Sequence, residues 1–208
     1  MAKRLGSQTI ILDKQPIILS GAAIVGKKEG DGPLARYFDE VIDDEYAGEK
    51  TFEAAESRIL KDTFAKALEK SGKAATDINI ILAGDLLNQS TAASYAFRDS
   101  NTPFIGLFGA CSTMSESMTL GAMLVDGGSA DYAVCAASSH FCSAERQFRY
   151  PLEFGSQRTP TAQWTVTGAG AVILGKDGNG PKISCVTPGK IVDQGIKDAN
   201  NMGAAMAP

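Results

Sequence analysis

Apolar residues recur along the chain with two different spacings, which predict alternating helices and strands. In residues 51–71 they return every three or four positions until Ser71-Gly72, as in an amphipathic helix. Residues 78–83 are apolar except for Asn79, which is typical of a strand buried on both faces. Further strands are predicted at 16–20, 104–108, 132–137, 164–174 and 183–186, and further helices at 90–97 and 112–126. The helix at 112–126 is expected to bury Met114, Met118, Ala122 and Val125. This order favours an α/β fold with a mostly parallel sheet covered by helices.

Cys111 stands at a junction between two predicted elements. It follows the strand at 104–108, and Gly109-Ala110 provides a tight turn into the next helix. Thr113 and Glu116 match the S/T-x-x-E capping box, which places the helix N-terminus beside the sulfur. Free backbone N–H groups and the helix dipole favour a thiolate there and attract anions. Cys111 is therefore either a functional residue or, like most free cysteines, a small buried hydrophobe.

Residues 138–163 form the one long stretch without clear periodicity. The stretch contains the only histidine, three arginines, two prolines and several aromatic residues. Irregular segments that leave the carboxyl end of a strand often carry binding groups in α/β proteins. A ligand site and a surface excursion that contacts a second copy both fit this pattern.

Composition excludes several classes of protein. A net charge of −4 without a Lys/Arg cluster argues against nucleic acid as a partner. Four cysteines without C-x-x-C spacing favour reduced thiols in the cytoplasm. With one histidine and no H-E-x-x-H motif, we expect no metal site, and no cofactor is expected either. No apolar stretch approaches the roughly 20 residues of a membrane-spanning helix.

Several strings resemble known proteins. The turn with Cys111, the helix that closes on Gly127-Gly128 and the later T-G-A-G-A-V-I-L segment resemble the thiolase-like fold, which is built from two similar βαβαβ halves. Longer strings are similar to the stage V sporulation protein AD family; they are residues 83–89, 108–113, 138–140, 144–151 and 202–208. Members of that family are longer. The resemblance therefore implies that residues 1–175 form the first thiolase-like half and that residues 176–208 begin a truncated second half.

The resemblance also implies a function. It points to a non-catalytic subunit that binds dipicolinic acid (pyridine-2,6-dicarboxylate), free or as its calcium chelate, for uptake into the developing spore. Its expected location is cytoplasmic, peripheral on the spore inner membrane, with other subunits of the stage V membrane assembly as partners and with a homodimer as a further expectation. Cys111 matches the thiolase nucleophile, so a thiolase- or ketoacyl-synthase-type acyltransferase is the alternative. A purely scaffolding subunit is the third hypothesis.

Enzyme activity is not expected from this chain. Thiolase-type catalysis pairs the cysteine with His, or with His and Asn, from the second half of the fold. His140 lies in the first half and does not correspond to those residues. Without a base and an oxyanion partner, Cys111 lacks the groups that covalent acyl transfer requires.

Dipicolinate is a flat aromatic dianion, which needs donors for two carboxylates and an apolar slot for its ring. Backbone amides at the cysteine turn and hydroxyls at the end of the strand at 132–137 can supply donors, and an arginine can close on a carboxylate. The alternatives are turns or caps for the two serines at that strand end, and salt bridges with Glu145 or Glu153 for the arginines. The predicted ligand-binding residues are Cys111, Ser112, Ser138, Ser139, His140, Arg146 and Arg149.

Overall fold

The computed structural model describes residues 3–148 and 165–197, with the backbone alone for residues 145–148. The strands are β1 (Lys3–Leu5), β2 (Thr9–Ile11), β3 (Ile17–Gly26), β4 (Glu40–Ile42), β5 (Ile80–Gly84), β6 (Phe104–Leu107), β7 (Tyr132–Ser139), β8 (Gly168–Gly175) and β9 (Cys185–Val186). The helices are α1 (Lys27–Gly30), α2 (Phe52–Ser71), α3 (Thr91–Phe97), α4 (Thr113–Gly127) and α5 (Phe141–Phe148).

A six-stranded sheet in the order β4-β3-β8-β7-β5-β6 forms the centre of the fold. β8 is antiparallel to both of its neighbours, and the other adjacent pairs are parallel. All strands of this sheet except β8 therefore run in one direction, which confirms the mostly parallel α/β sheet. The carboxyl ends of β5, β6 and β7 meet at the same edge.

Helices cover both faces of the sheet. Successive residues of a strand point to opposite faces, so in β5 Ile81 and Ala83 pack on the side of α2 and α3, while Leu82 packs on the side of α4. All three residues are fully buried. The predicted strand at 78–83 is thus observed as β5, Ile80–Gly84, and it is buried on both faces, as predicted.

Helix α2 begins and ends close to its predicted limits. Thr51 is the N-cap, and its hydroxyl accepts a hydrogen bond from Ala54 N (3.2 Å). Gly72 ends the helix in the left-handed conformation (φ 67°) that glycine adopts most readily. The buried face includes Ile59 and Leu60, which belong to the predicted apolar stripe.

Helix α4 packs through its small residues rather than through its methionines. Ala122 and Val125 are buried as predicted, but Met114 and Met118 are only half-buried. At Gly121 a Cβ atom would lie 2.5 Å from Cys135 Sγ on β7. This close approach of helix and sheet leaves no room for long side chains beneath the helix and moves them to its flanks.

Short elements escaped prediction. β1 and β2 were not predicted; they form a separate antiparallel sheet in the order β1-β2-β9 with β9, which lies within the strand predicted at 183–186. The short helix α1, Lys27–Gly30, was not predicted either. β3 also continues beyond residue 20 to Gly26. Elements of two to four residues are too short to show a period, and the continuation of β3 consists largely of small residues.

Candidate functional site

Cys111 lies in a 3-10 turn, Ala110–Ser112, between β6 and α4, and its side chain is exposed. The predicted capping box is wrong. Ser112, not Thr113, is the N-cap of α4, and it makes no capping hydrogen bond through its side chain. Thr113 is the first helical residue, and its hydroxyl accepts from Gly109 N (3.1 Å) and donates to Ala110 O (2.9 Å). The threonine therefore ties the turn together instead of capping the helix.

The backbone of this turn presents amide donors. Ser112 N donates to Gly109 O (3.0 Å) and Thr113 N to Ala110 O, so both amides are used inside the turn. Within the described part of the chain, the amides of Ala110 and Cys111 have no acceptor. Ala110 is left-handed (φ 48°) between neighbours with negative φ, and such alternation makes an anion-binding nest of successive N–H groups. The available donors thus lie at Ala110 and Cys111, slightly before the predicted position.

Strained backbone is concentrated beside this turn. Gln89 (φ 63°) and Ser90 (φ 51°), in the loop after β5, share the left-handed conformation of Ala110. The Ser90 hydroxyl donates to Leu107 O at the end of β6 (3.1 Å), which links the two loops. Non-glycine residues held in this conformation cluster at binding and active sites. The carboxyl edge of the sheet at β5 and β6 is therefore the candidate functional site.

The sheet separates the predicted site residues between its two faces. β5 lies between β6 and β7, so the strands that carry Cys111 and the serines share an edge without being neighbours. The alternation along β7 points Ser138 toward α2 and Ser139 toward the side of α4. The Ser139 hydroxyl donates to Val166 O (2.6 Å). The structure thus brings Cys111, Ser112 and Ser139 to one face and places Ser138 on the other.

His140 is sealed inside the protein. Its side chain is 0% exposed and packs against the Phe52 ring with 5.0 Å between ring centroids. Nε2–H donates to Glu45 O (2.8 Å), and Nδ1 accepts from Cys142 N (3.2 Å), so both ring nitrogens have partners. Burial lowers the pKa of His140, which keeps the ring neutral. A histidine in this state is not available as a base for Cys111.

Two buried carboxyl groups were missed by the sequence analysis. Glu56 on α2 is 1% exposed, and its Oε1 and Oε2 accept from Ser138 Oγ (2.9 Å) and Ser143 Oγ (3.2 Å). Burial raises the pKa of Glu56 to about 7, the nearby charge of Asp85 adds to this, and the serine hydrogen bonds oppose it. The sequence feature that could have indicated this buried carboxyl group is a glutamate among the apolar positions of α2.

Asp85 follows β5 and organises the strained loop. Its two carboxylate oxygens accept from Leu87 N (2.8 Å) and Ala93 N (2.7 Å). Burial raises the pKa of Asp85, and the backbone hydrogen bonds oppose that effect. This carboxyl group therefore connects the candidate site to the start of α3.

Arg146 lies on α5, where only the backbone is described, and Arg149 lies outside the described residues.

Residues 3–148 and 165–197 contain no group of three or more His, Cys, Asp or Glu side chains that could hold a metal ion. In the same residues, no helix is both long enough and apolar enough to cross a membrane.

Solved structures similar to this chain define the class of protein. 3-Oxoacyl-[acyl-carrier-protein] synthase III from Aquifex aeolicus superposes with a TM-score of 0.53 at 13% identity, over 79% of this chain and 55% of that one. A variant of OleA from Xanthomonas campestris gives 0.53 at 16% identity, over 79% and 59% of the two chains. At these identities the likeness shows the fold alone, and that fold is thiolase-like.

The sequence comparison is more specific. The family model of stage V sporulation protein AD matches residues 6–208. Stage V sporulation protein AD of Bacillus subtilis strain 168 is 44% identical over 206 residues, which are 99% of this chain and 61% of the relative. The chain therefore belongs to the stage V sporulation protein AD family, and it spans less than two thirds of that relative's length.

Proposed function

We propose that the protein is a non-catalytic subunit that binds dipicolinic acid, free or as its calcium chelate, for uptake into the developing spore. Family membership supports the role in sporulation. The observation that carries the ligand proposal is the exposed turn at Cys111, where the amides of Ala110 and Cys111 have no acceptor among the described residues. Two neighbouring free amides suit one carboxylate of a dianion.

The geometry divides the proposed site residues by role. Cys111, Ser112 and Ser139 are proposed to contact the ligand from the α4 side of the sheet. Arg146 or Arg149 is proposed to close on the second carboxylate. Ser138 and His140 are buried on the other face, so we propose that they stabilise the structure of the site without contacting the ligand.

An acyltransferase that uses Cys111 as nucleophile is the second candidate. The exposed thiol and the likeness to 3-oxoacyl-[acyl-carrier-protein] synthase III favour it. Against it, the only histidine of the sequence has both ring nitrogens engaged away from the thiol. Acyl transfer needs a base beside the nucleophile. We therefore propose that this chain has no such activity.

The proposed partners are the other subunits of the stage V membrane assembly, and the proposed location is cytoplasmic and peripheral on the spore inner membrane. A homodimer is also proposed. Among the described residues the outer edge of β6 is unpaired, and Ile105 and Phe108 are exposed beside it, which supports an interface there. No nucleic acid is expected to bind.

The direct test is a calorimetric titration of the protein in its natural full length with dipicolinate, with its calcium chelate and with an acyl-CoA. We expect saturable binding of dipicolinate and no Cys111-dependent release of CoA. Turnover at several per second or faster, on the order of typical enzyme rates, would replace the binding proposal with the acyltransferase.

A further inference from the structure

We propose that Glu56 is a positioning residue for the dipicolinate site: its carboxyl group fixes the junction between β7 and α5 from the face of the sheet opposite Cys111. This inference rests on the proposed function. It assigns a role to a buried group that does not itself contact the ligand.

The geometry of the junction carries this inference. Glu56 Oε1 accepts from Ser138, near the end of β7, and Oε2 accepts from Ser143, in the first turn of α5. The Ser143 hydroxyl also lies 3.2 Å from His140 O, inside the junction. One carboxyl group thus holds both ends of a short segment from the α2 side.

The residues between these two serines connect Glu56 to the proposed ligand. Ser139 is in that segment and points to the α4 side, toward the face of Cys111. The backbone of α5, which carries Arg146, begins inside the same segment, at Phe141. Loss of the Glu56 hydrogen bonds should therefore displace Ser139 and the start of α5 together, whereas the turn at Cys111 should be unaffected.

The protonation state of Glu56 should affect the strength of these two hydrogen bonds. The titratable groups nearby are Asp85 from the end of β5, and His140 and Cys142 from the junction itself. His140 is neutral, and burial raises the pKa of Cys142. Among the described residues, no Lys or Arg side chain shifts the pKa of Glu56. Ionised Glu56 therefore adds an uncompensated charge near Asp85. The two serine hydrogen bonds nevertheless favour the ionised form, in which both Glu56 oxygens only accept, so the junction is held best above about pH 7.

The test compares the dipicolinate affinity of the wild type, Glu56→Gln and Glu56→Ala in the natural full-length protein between about pH 6 and about pH 8. We expect the wild-type affinity to rise by up to roughly tenfold as the pH rises and Glu56 becomes ionised, since one proton is involved. Glu56→Gln keeps a neutral hydrogen-bonding group, so it should match the wild type at the lower pH and show a flat profile. Glu56→Ala should bind roughly tenfold more weakly throughout. Glu69→Gln, on the exposed side of α2, is the matched control and should follow the wild type.

A wild-type pH profile in Glu56→Gln, or unchanged affinity in Glu56→Ala, would overturn the inference. Hydrogen exchange of amides 138–144 separates it from the proposed function. Faster exchange there in Glu56→Ala, by about tenfold or more, and not in Glu69→Gln is expected even if dipicolinate does not bind. Unchanged exchange would remove the positioning role, while absence of binding to the wild type would remove the proposed ligand.

Discussion

At the scale of single residues, the turn at Cys111 combines anion-binding donors with a carboxylate. Glu116 lies over Gly109, where an added Cβ atom would come within 2.6 Å of Glu116 Oε2. That oxygen is buried and has no hydrogen-bond partner among the described residues. A negative charge at this place repels a free dianion but attracts the cation of a metal chelate. Glu116 is therefore expected to influence which form of dipicolinate binds.

Replacing Glu116 by glutamine should raise the affinity for free dipicolinate and lower the affinity for its calcium chelate. The expected change is about two- to fivefold in each direction, because the charges interact near a solvent-exposed turn. Calorimetry with each form of the ligand measures it. Glu40→Gln, on the exposed strand β4, is the control and should leave both affinities unchanged. Equal effects on the two forms would contradict an electrostatic role.

Replacing Cys111 distinguishes a binding residue from a nucleophile. Cys111→Trp should weaken dipicolinate binding by more than about tenfold, since the indole fills volume that the ligand needs. Cys111→Ala should weaken it by less than about threefold, because the backbone amides remain. A nucleophile would instead lose turnover in Cys111→Ala and keep its binding. Cys185→Trp, at another exposed cysteine, is the control; unchanged affinity in Cys111→Trp would move the site toward Arg146 and Arg149.

The stability of the protein should fall as the pH rises through neutrality. The folded state raises the pKa of Glu56 from 4.5 to about 7, so the protonated form is favoured on folding. That contribution is fully present below about pH 4.5 and is lost as the pH rises through about 7, a change of roughly 3 kcal/mol. Asp85 acts in the same direction. Denaturant unfolding across this range should show a smaller decline in Glu56→Gln, and an identical decline would rule out Glu56 as its source.

At the scale of elements, length and chemistry decided what the sequence could predict. α2 was predictable because a threonine cap, a long apolar stripe and a glycine stop agree with one another. The apolar residues of β5 were an equally clear signal. The position of β5 between β6 and β7 was not predictable, because strand order depends on contacts far apart in sequence. The separation of Ser138 from Ser139 could have been predicted, because successive residues of one strand point to opposite faces. The donors of the Cys111 turn could not, because they depend on a positive φ at Ala110, which the sequence does not indicate at a non-glycine residue.

The close contact between α4 and the sheet gives a test at this scale. Gly121→Ala should destabilise the protein by about 1–2 kcal/mol, because its Cβ would lie 2.5 Å from Cys135 Sγ. In a Cys135→Ala background the sulfur is gone and the nearest remaining atoms are Leu174 Cδ1 (3.2 Å) and Leu82 Cδ1 (3.3 Å), so the same change should be less destabilising by about 1 kcal/mol. A double-mutant cycle from urea unfolding measures the coupling. Additive effects of the two substitutions on the free energy of unfolding would show that α4 does not contact Cys135 as described.

At the scale of the whole molecule, one face of α4 packs on the sheet and the other face is open within the described residues. Met123 on that open side is 38% exposed, whereas Met118 and Leu124 are half-buried against the core. The chain covers 61% of the length of its relative in Bacillus subtilis. Thiolase-like folds contain two similar halves, so we propose that the remaining part of the whole protein packs against this side of α4.

The 208-residue chain on its own should therefore associate with itself through α4. Apolar surface that a missing partner would cover promotes association, so sedimentation should show a mass that increases with concentration, together with binding of a hydrophobic dye. Met123→Lys should shift the association to concentrations about tenfold higher, because a charge must then be buried. Tyr95→Lys is the matched control: Tyr95 is 59% exposed on α3, across the sheet from α4, and its replacement should have no such effect. A stable monomer that binds no dye would show that the open side of α4 needs no covering partner, and equal effects of the two lysines would place the contact elsewhere.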